Sequence, residues 1–270
     1  MPKRSRRSAV PPLTGTALLE ALLGGWRALY RLEVDGFAVL RSRGVTRRAN
    51  SVVPLEPPSD PAALDAAVTR IEDLLGAAGE RPTLRLFTGE GIDHEPVRAA
   101  LSQRGYEAGA PVHVLQRSVA DHRTAPDPRA AITVGAPPEN WLEASWWLAP
   151  RPEDGARETM REIMAGTPAI YLALTDPASD SRETVAVGRA ALVPHRRRTI
   201  AVLDQIAVDP ERRREGLGRA CLDSLLALAA FQGADLALLE VETGNAAARG
   251  LYKAAGFRAA GEYRYLTPAA

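Results

Sequence analysis

The chain has 270 residues, 46% of them hydrophobic and 25% charged, with a formal net charge of +1. The length exceeds one ordinary domain, and the composition supplies apolar material for a core in each half. The balanced charge excludes bulk attraction to nucleic acid. The lone Cys221 excludes a disulfide framework within the chain, and no run of 18 apolar residues marks a membrane span. A reducing, cytoplasmic setting is the expectation.

The opening MPKRSRRSAVPP is basic, and the apolar ALLEALLGG behind it is short and carries Glu20. It reads as a basic tail rather than a signal peptide. Residues 32–41 and 49–55 read as strands. A helix follows over 61–78, with Ala63, Ala67, Ile71, Leu74 and Leu75 at helical spacing. Residues 83–88 form a strand, 94–104 a helix stopped by Gly105, and 112–119 a strand. The polar ADHRTAPDPRA carries two prolines and no hydrophobic period, and it marks a boundary.

Beyond the boundary, helices are expected over 139–148 and 157–164, and strands over 169–175, 184–193 and 199–208. Residues 216–232 form a strongly amphipathic helix with Cys221 on its apolar face, where the thiol is buried and inert. A strand at 236–242, a helix at 246–255 capped by Asn245, and a strand at 258–266 close the chain. Val53 to Tyr106 spans 53 residues and Val208 to Phe257 spans 49, between corresponding strand and helix ends. This similar order suggests a duplicated unit.

Two stretches carry chemistry. In DQIAVDPERRREGLGRACLDSLL a strand ends at Val208, and Arg213-Arg214-Glu215-Gly216-Leu217-Gly218 leads into a helix. The glycines remove Cβ atoms where a ligand must meet backbone, and free amides at a helix start form an anion site. Arg212, Arg213, Arg214 and Arg219 surround it with positive charge. No Walker lysine is present, and only GxG of a Rossmann fingerprint remains. In ETGNAAARGLYKAAGF, Tyr252 lies two helical turns beyond Asn245 and on the same face, where a phenol can donate a proton.

Together, RREGLG and NAAARGLYKAAGF, in this order and at this spacing, resemble the GNAT acetyltransferase superfamily over about residues 130–266. The resemblance implies a mixed, mostly antiparallel sheet flanked by helices, with acetyl-CoA as cosubstrate and no metal. It implies that Ile206, Ala207 and Val208 hold pantetheine like an added strand and that the amides from Arg213 to Arg219, Glu215 and Leu217 included, bind pyrophosphate. Asn245 would contact the pantetheine arm, and Tyr252 would protonate the departing thiolate. Asp204 is the candidate base. Two-residue alternation puts it on one strand face with Val202, Ile206 and Val208, whose apolar surroundings would raise its pKa. Glu242 is a second candidate and a water chain a third. Of Trp141, Trp146 and Trp147, two are read as core and one as lining the acceptor pocket.

Residues 1–118 have PLEPPSDPAALDAA where the glycine loop would fall. Pro54, Pro57, Pro58 and Pro61 lack N–H donors, so this half resembles a degenerate first module of a tandem GNAT protein. Arg41, Arg43, Arg47 and Arg48 read as a solvated strand face. The expectation is an α/β (α+β) chain: a module at 1–118, a linker at 119–129 and a catalytic module at 130–270. It would act on a small-molecule or peptide amine as a monomer or homodimer, with no nucleic-acid or membrane partner. A non-catalytic acyl-CoA-binding or regulatory protein, or a nucleotide binder, are the rivals. His94, His113, His122 and His195 show no metal spacing.

Overall fold

The stretch ALLEALLGG, assigned no element above, is the first helix, α1 (Gly15–Gly25). The computed structural model describes residues 10–151, 155–176 and 183–269, and the basic tail through residue 9 lies outside them. α1 buries Leu18, Leu19 and Leu22, each contributing about 1.5–3 kcal/mol of transfer free energy. It packs chiefly on two strands of the second half, at residues 184–195 and 198–208, while sharing its cluster with Leu40 and Phe87 of the first. A Cβ at Gly25 would come within 2.4 Å of the Val202 side chain, so only glycine lets the helix approach this closely.

After α1 come β1 (Tyr30–Val34) and β2 (Phe37–Arg41). The strand expected over 32–41 is a hairpin instead, because Asp35 and Gly36 both take positive φ, the geometry of a tight two-residue turn. The strand expected over 49–55 shrinks to β3 (Val52–Pro54), preceded by a 3-10 turn at Arg47–Ala49. α2 (Pro61–Ala77) starts on an Asp60 cap whose carboxylate accepts from Ala63 N at 2.8 Å. Then follow β4 (Leu84–Gly89), β5 (Ile92–Asp93), α3 (Glu95–Gln103), β6 (Tyr106–Ala108) and β7 (Val112–Ser118).

The second half supplies β8 (Ala130–Gly135), absent from the sequence expectation, then α4 (Glu139–Leu148), α5 (Ala156–Ala165) and β9 (Ala169–Thr175). β10 (Thr184–His195), β11 (Arg198–Val208), α6 (Leu217–Phe231), β12 (Ala234–Glu242), α7 (Ala246–Ala254) and β13 (Arg258–Pro268) complete it.

The thirteen described strands form one continuous sheet, with main order β1-β2-β3-β4-β13-β7-β12-β11-β10-β9-β8. The middle of this order is an exchange. β7 hydrogen-bonds to β12 and β13, both from beyond residue 130, while β13 also pairs with β4 and β6. Parallel pairing occurs twice, β3 with β4 and β11 with β12, on either side of the exchange. Residues 119–129 cross from β7 toward β8 over α6, with Asp127 N donating to Ser224 Oγ at 2.8 Å.

Three apolar clusters hold the layers. α1, α4 and α5 cover one face, where Leu22, Trp26, Trp141 and Met160 meet Tyr171, Val187 and Val202. α6 and α7 cover the other, where Leu217, Cys221, Leu225 and Tyr252 meet Ala190, Leu203 and Leu239. α2 and α3 cover β2 to β4 through Val68, Ile71, Val97 and Leu101.

His94, next to α3, is buried, and its Nδ1 accepts from Phe87 N at 3.0 Å. Burial pushes its pKa from 6.5 down to about 4. The unfolded chain therefore takes a proton near pH 6.5 while the folded chain does not, so stability is lost as pH falls from 6.5 toward 4. The full loss is about 3 kcal/mol. Urea unfolding at pH 7 and pH 4.5 should show this decline, and His94→Asn, which keeps an acceptor but cannot titrate, should reduce it.

Candidate active site

The site begins with an irregularity in β11. Arg189 of β10 pairs with Asp204 and Val187 pairs with Ala207, so Gln205 and Ile206 together oppose the single Gly188. Gln205 has φ +51, as a bulged residue does. The bulge resets the alternation. Asp204 stays on the face of Val202, whereas Ile206 and Val208 pack against the cluster under α6. The single-face alignment of Asp204, Ile206 and Val208 expected from period-two alternation is therefore corrected: the inserted residue turns the strand over between them.

The bulge also parts two strands. β11 and β12 pair in parallel through Leu203 with Leu239 and no further. Beyond that point the edge at Ile206, Ala207 and Val208 is half-buried and unpaired on the β12 side. A cavity of about 690 Å³ opens there, lined by Asp204, Gln205, Ile206, Glu240, Glu242 and Tyr252. The exchanged strands and the first half add Val112, Tyr263, Tyr265, Arg47 and Arg48.

Asp204 is almost wholly buried, and its Oδ2 accepts from Arg189 Nη1 at 2.7 Å. Burial pushes its carboxyl above the usual range, against the pull of Arg189 and Arg48. Arg189, fully buried, also donates to Gly25 O at 3.0 Å, Met164 O at 3.1 Å and Thr167 O at 3.5 Å. It thus ties the end of α1 and the α5–β9 turn to the residue before the bulge.

A second buried ion cluster lies across the cavity. Glu240 accepts from Arg48 Nη1 at 2.9 Å and from Arg85 Nη1 at 3.3 Å. The Arg48 guanidinium sits 4.4 Å from the Trp26 ring centroid. This corrects the solvated-face reading for Arg48, whereas Arg43 and Arg47 are exposed, as that reading expects. Arg41 is bound to Glu80 and Arg43 to Glu162, while Arg47 and Arg48 reach the cavity from the 3-10 turn. Arg48, Arg85, Arg189 and Glu240 were not expected as site residues. The one sequence signal for Arg85, Arg189 and Glu240 is an ionisable residue set among apolar neighbours within a strand, as in LRLF and VGRAAL, and Arg48 has none.

Tyr252 is buried apart from the atoms facing the cavity, its ring edge-on to Phe257 at 5.8 Å. Its hydroxyl has no hydrogen-bond partner among the described residues. Burial, with Cys221 nearby, pushes its pKa up to about 12, so the phenol stays protonated at neutral pH. Burial likewise pushes the Cys221 thiol up to about 12, which makes it unreactive. Asn245 caps α7, Oδ1 accepting from Ala248 N at 3.1 Å. Trp141 is core, Trp146 half-buried and Trp147 exposed, and none of the three lines the large cavity.

The glycine loop turns into α6 through Arg214 (φ +73) and Gly216 (φ +82). The amides of Glu215, Gly216, Leu217 and Gly218 donate to no described acceptor and lie at the helix start, where an anion site needs free donors. Arg212 is committed to Asp176 and Glu215, and Arg219 to Asp223. Arg213 and Arg214 are exposed and have no such carboxylate among the described residues. Among the described residues no group of three His, Cys, Asp or Glu is placed to hold a metal ion, and no helix is long and apolar enough to cross a membrane.

Comparison with known proteins gives this geometry a family. The profile of the family described as "Probable histone acetyltransferase Rv0428c C-terminal" matches residues 16–266. The chain belongs to that family. A [ribosomal protein bS18]-alanine N-acetyltransferase of Escherichia coli K12 is 47% identical over 60 residues, covering 22% of this chain and 40% of that protein. The Salmonella typhimurium enzyme of the same name is 37% identical over 100 residues, 37% of this chain and 64% of its own length. The chain thus spans about two fifths of the length of the E. coli relative it matches.

Among solved structures, a GCN5-related N-acetyltransferase from Kribbella flavida superposes with TM-score 0.64 at 18% identity, over 96% of this chain and 97% of its own. A tandem GNAT protein from the clavulanic acid biosynthesis pathway gives 0.66 at 12%, over 97% and 89%. These likenesses establish the GNAT fold, and the family is one of acetyltransferases.

The glycine loop yields a prediction. Open space surrounds the Cβ position at Gly216, but its φ of +82 strains any β-branched residue. Gly216→Val should therefore weaken acetyl-CoA binding about 10- to 100-fold, the effect of disturbing one or two charged hydrogen bonds. Gly218 lacks positive φ, and a Cβ there meets only Val208 and Leu251 at 3.6 and 3.7 Å. Gly218→Ala should fold normally. Calorimetric titration of both variants checks the pair, and unchanged affinity in a folded Gly216→Val protein removes the loop from the binding site.

Proposed function

We propose that the protein transfers an acetyl group from acetyl-CoA to a primary amine within a ternary complex, with Tyr252 as the general acid. The observation that carries this is the Tyr252 hydroxyl, protonated and without a hydrogen-bond partner among the described residues, on the wall of the cavity where β11 and β12 part. The unpaired edge at Ile206–Val208 is the place for pantetheine, with its backbone donors near the thioester carbonyl. The amides from Arg213 to Arg219 take the pyrophosphate, and the Asn245 amide nitrogen, left over from capping, takes the arm between them. The names of the curated relatives, N-acetyltransferases acting on a protein alanine, support an amine as acceptor.

The neutral amine attacks the thioester carbonyl, the nitrogen of the tetrahedral intermediate loses a proton as the C–S bond breaks, and the tyrosine proton passes to the departing sulfur; the phenolate then regains, through water, the proton that nitrogen gave up. The amine must first lose a proton. Asp204, the base expected from the sequence, has one oxygen on Arg189 and the other buried. Its part in this reading is to hold Arg189 and the bulge. Glu242, exposed on the cavity wall, takes the amine's proton directly or through water. Residues 1–118 act as a degenerate GNAT-like unit joined to the catalytic one through the exchanged strands, and they complete the acceptor side of the cavity.

A thiol with pKa near 8.5 leaves tolerably without help, so proton donation assists without being indispensable. Tyr252→Phe should lower kcat roughly 10- to 1,000-fold, at or below the usual range for one acid–base group. Acetyl-CoA affinity should hold, because the ring remains packed on Phe257. Release of free CoA and thermal unfolding, measured on one preparation, check it. Wild-type kcat in a stable variant ends the general-acid assignment. Saturable acetyl-CoA binding with no CoA released to any amine favours a non-catalytic acyl-CoA-binding protein.

A further inference from the structure

Most charges around the cavity are matched within the protein. Asp204 is answered by Arg189, and Glu240 by both Arg48 and Arg85. Arg151 set aside, the charged groups on the wall without an ion-pair partner among the described residues are Arg47 and Glu242. Arg47 is exposed, and its guanidinium lies 4.1 Å from the ring centroid of Tyr265. A guanidinium over an aromatic ring face leaves N–H groups at its edges free for a carboxylate or phosphate. The single charge of Glu240 faces two arginines, so the interior behind Arg47 carries a further positive excess.

The sheet sets the distance between the two unmatched groups. Glu242 pairs with Val112, and Val112 pairs with Tyr263. Glu242 and Tyr263 are therefore two strand spacings apart, about 10 Å, and Tyr265 lies two residues further along β13. A polycation would satisfy Glu242 but meet Arg47 and the Arg48–Arg85 excess with nothing to offer them. A small ammonium would leave Arg47 out of reach.

We propose that the acceptor is an anionic amine, whose amino group lies toward Glu242 and whose carboxylate or phosphate, on the order of 10 Å away, is bound by Arg47. This rests on the acetyl-transfer reading above and narrows it. Arg47 is a specificity residue supplied to the catalytic cavity by the first half of the chain, which the sequence offered only as a degenerate partner. Polyamines are excluded as preferred acceptors by the same charges.

The test is release of free CoA from acetyl-CoA by the full chain with paired acceptors. Trialanine is compared with trialanine amide, 6-aminohexyl phosphate with 6-aminohexanol, and spermidine is the polycation. The anionic member of at least one pair should exceed its uncharged counterpart about 10-fold or more in kcat/KM, as a charged hydrogen bond implies. Which pair shows it identifies the anion as carboxylate or phosphate. In Arg47→Gln the preference should collapse to within about 2-fold, mainly through KM, as loss of one charged contact requires. Arg43→Gln, outside the cavity, should keep it. Equal turnover within both pairs, preference for spermidine, or a preference that survives in a folded Arg47→Gln protein overturns the proposal and leaves acetyl transfer standing. No CoA release from any of the five amines, despite calorimetric binding of acetyl-CoA, overturns both.

Discussion

The buried pair of Arg189 and Asp204 is the constraint on which the site's geometry rests. A guanidinium with no exposed surface needs an acceptor for each N–H edge, and here they come from three separate places in the chain. Removing either partner of such a pair leaves an uncompensated charge in the interior, a loss of about 3–5 kcal/mol. The same pair fixes the residue immediately before the bulge in β11. The end of α1, the turn after α5 and the opening of the cavity are thus set by one set of hydrogen bonds. An apolar replacement of equal volume could stabilise the core as well, but it would not specify where β11 must leave its neighbour.

The exchange of β7 and β13 has a comparable role at the scale of the sheet. Each strand lies between two strands of the other half, so the cavity floor is continuous rather than a joint between separate bodies. Tyr263 and Tyr265 reach the cavity because β13 crosses to β4, and Arg85 reaches Glu240 because β4 then lies within range. The Glu240 cluster unites a strand from one half with a strand and a turn from the other. A molecule entering this cavity therefore meets surfaces that neither half builds alone.

Much of this was legible in the sequence. Helical spacing and glycine stops gave α2, α3, α6 and α7 to within a residue or two, because capping and positive φ are local matters. Asn245 caps α7, and the loop at Arg213–Gly218 turns into α6, as their residues indicate. Nonlocal facts were hidden. Nothing in ALLEALLGG says that α1 packs on β10 and β11, and nothing in β13 says that it joins the other half. The bulge at Gln205 carries no glycine or proline signal, since a glutamine there takes positive φ under tertiary constraint, and the period-two alternation misled as a result. Arg48 and Glu240 are 192 positions apart, so only the folded sheet makes them partners.

The place of β13 also bears on how the chain is made. Gly89 pairs with Gly261, so β4 has an open edge until synthesis has passed position 261. During that interval the nascent protein exposes unpaired N–H and C=O groups beside the apolar residues of β4, a template for association with other chains. Closing a sheet through contacts so distant in sequence is intrinsically slow. The strand that completes the centre of the sheet is made after the other twelve described strands, so the cavity comes into being in a step shared by both halves.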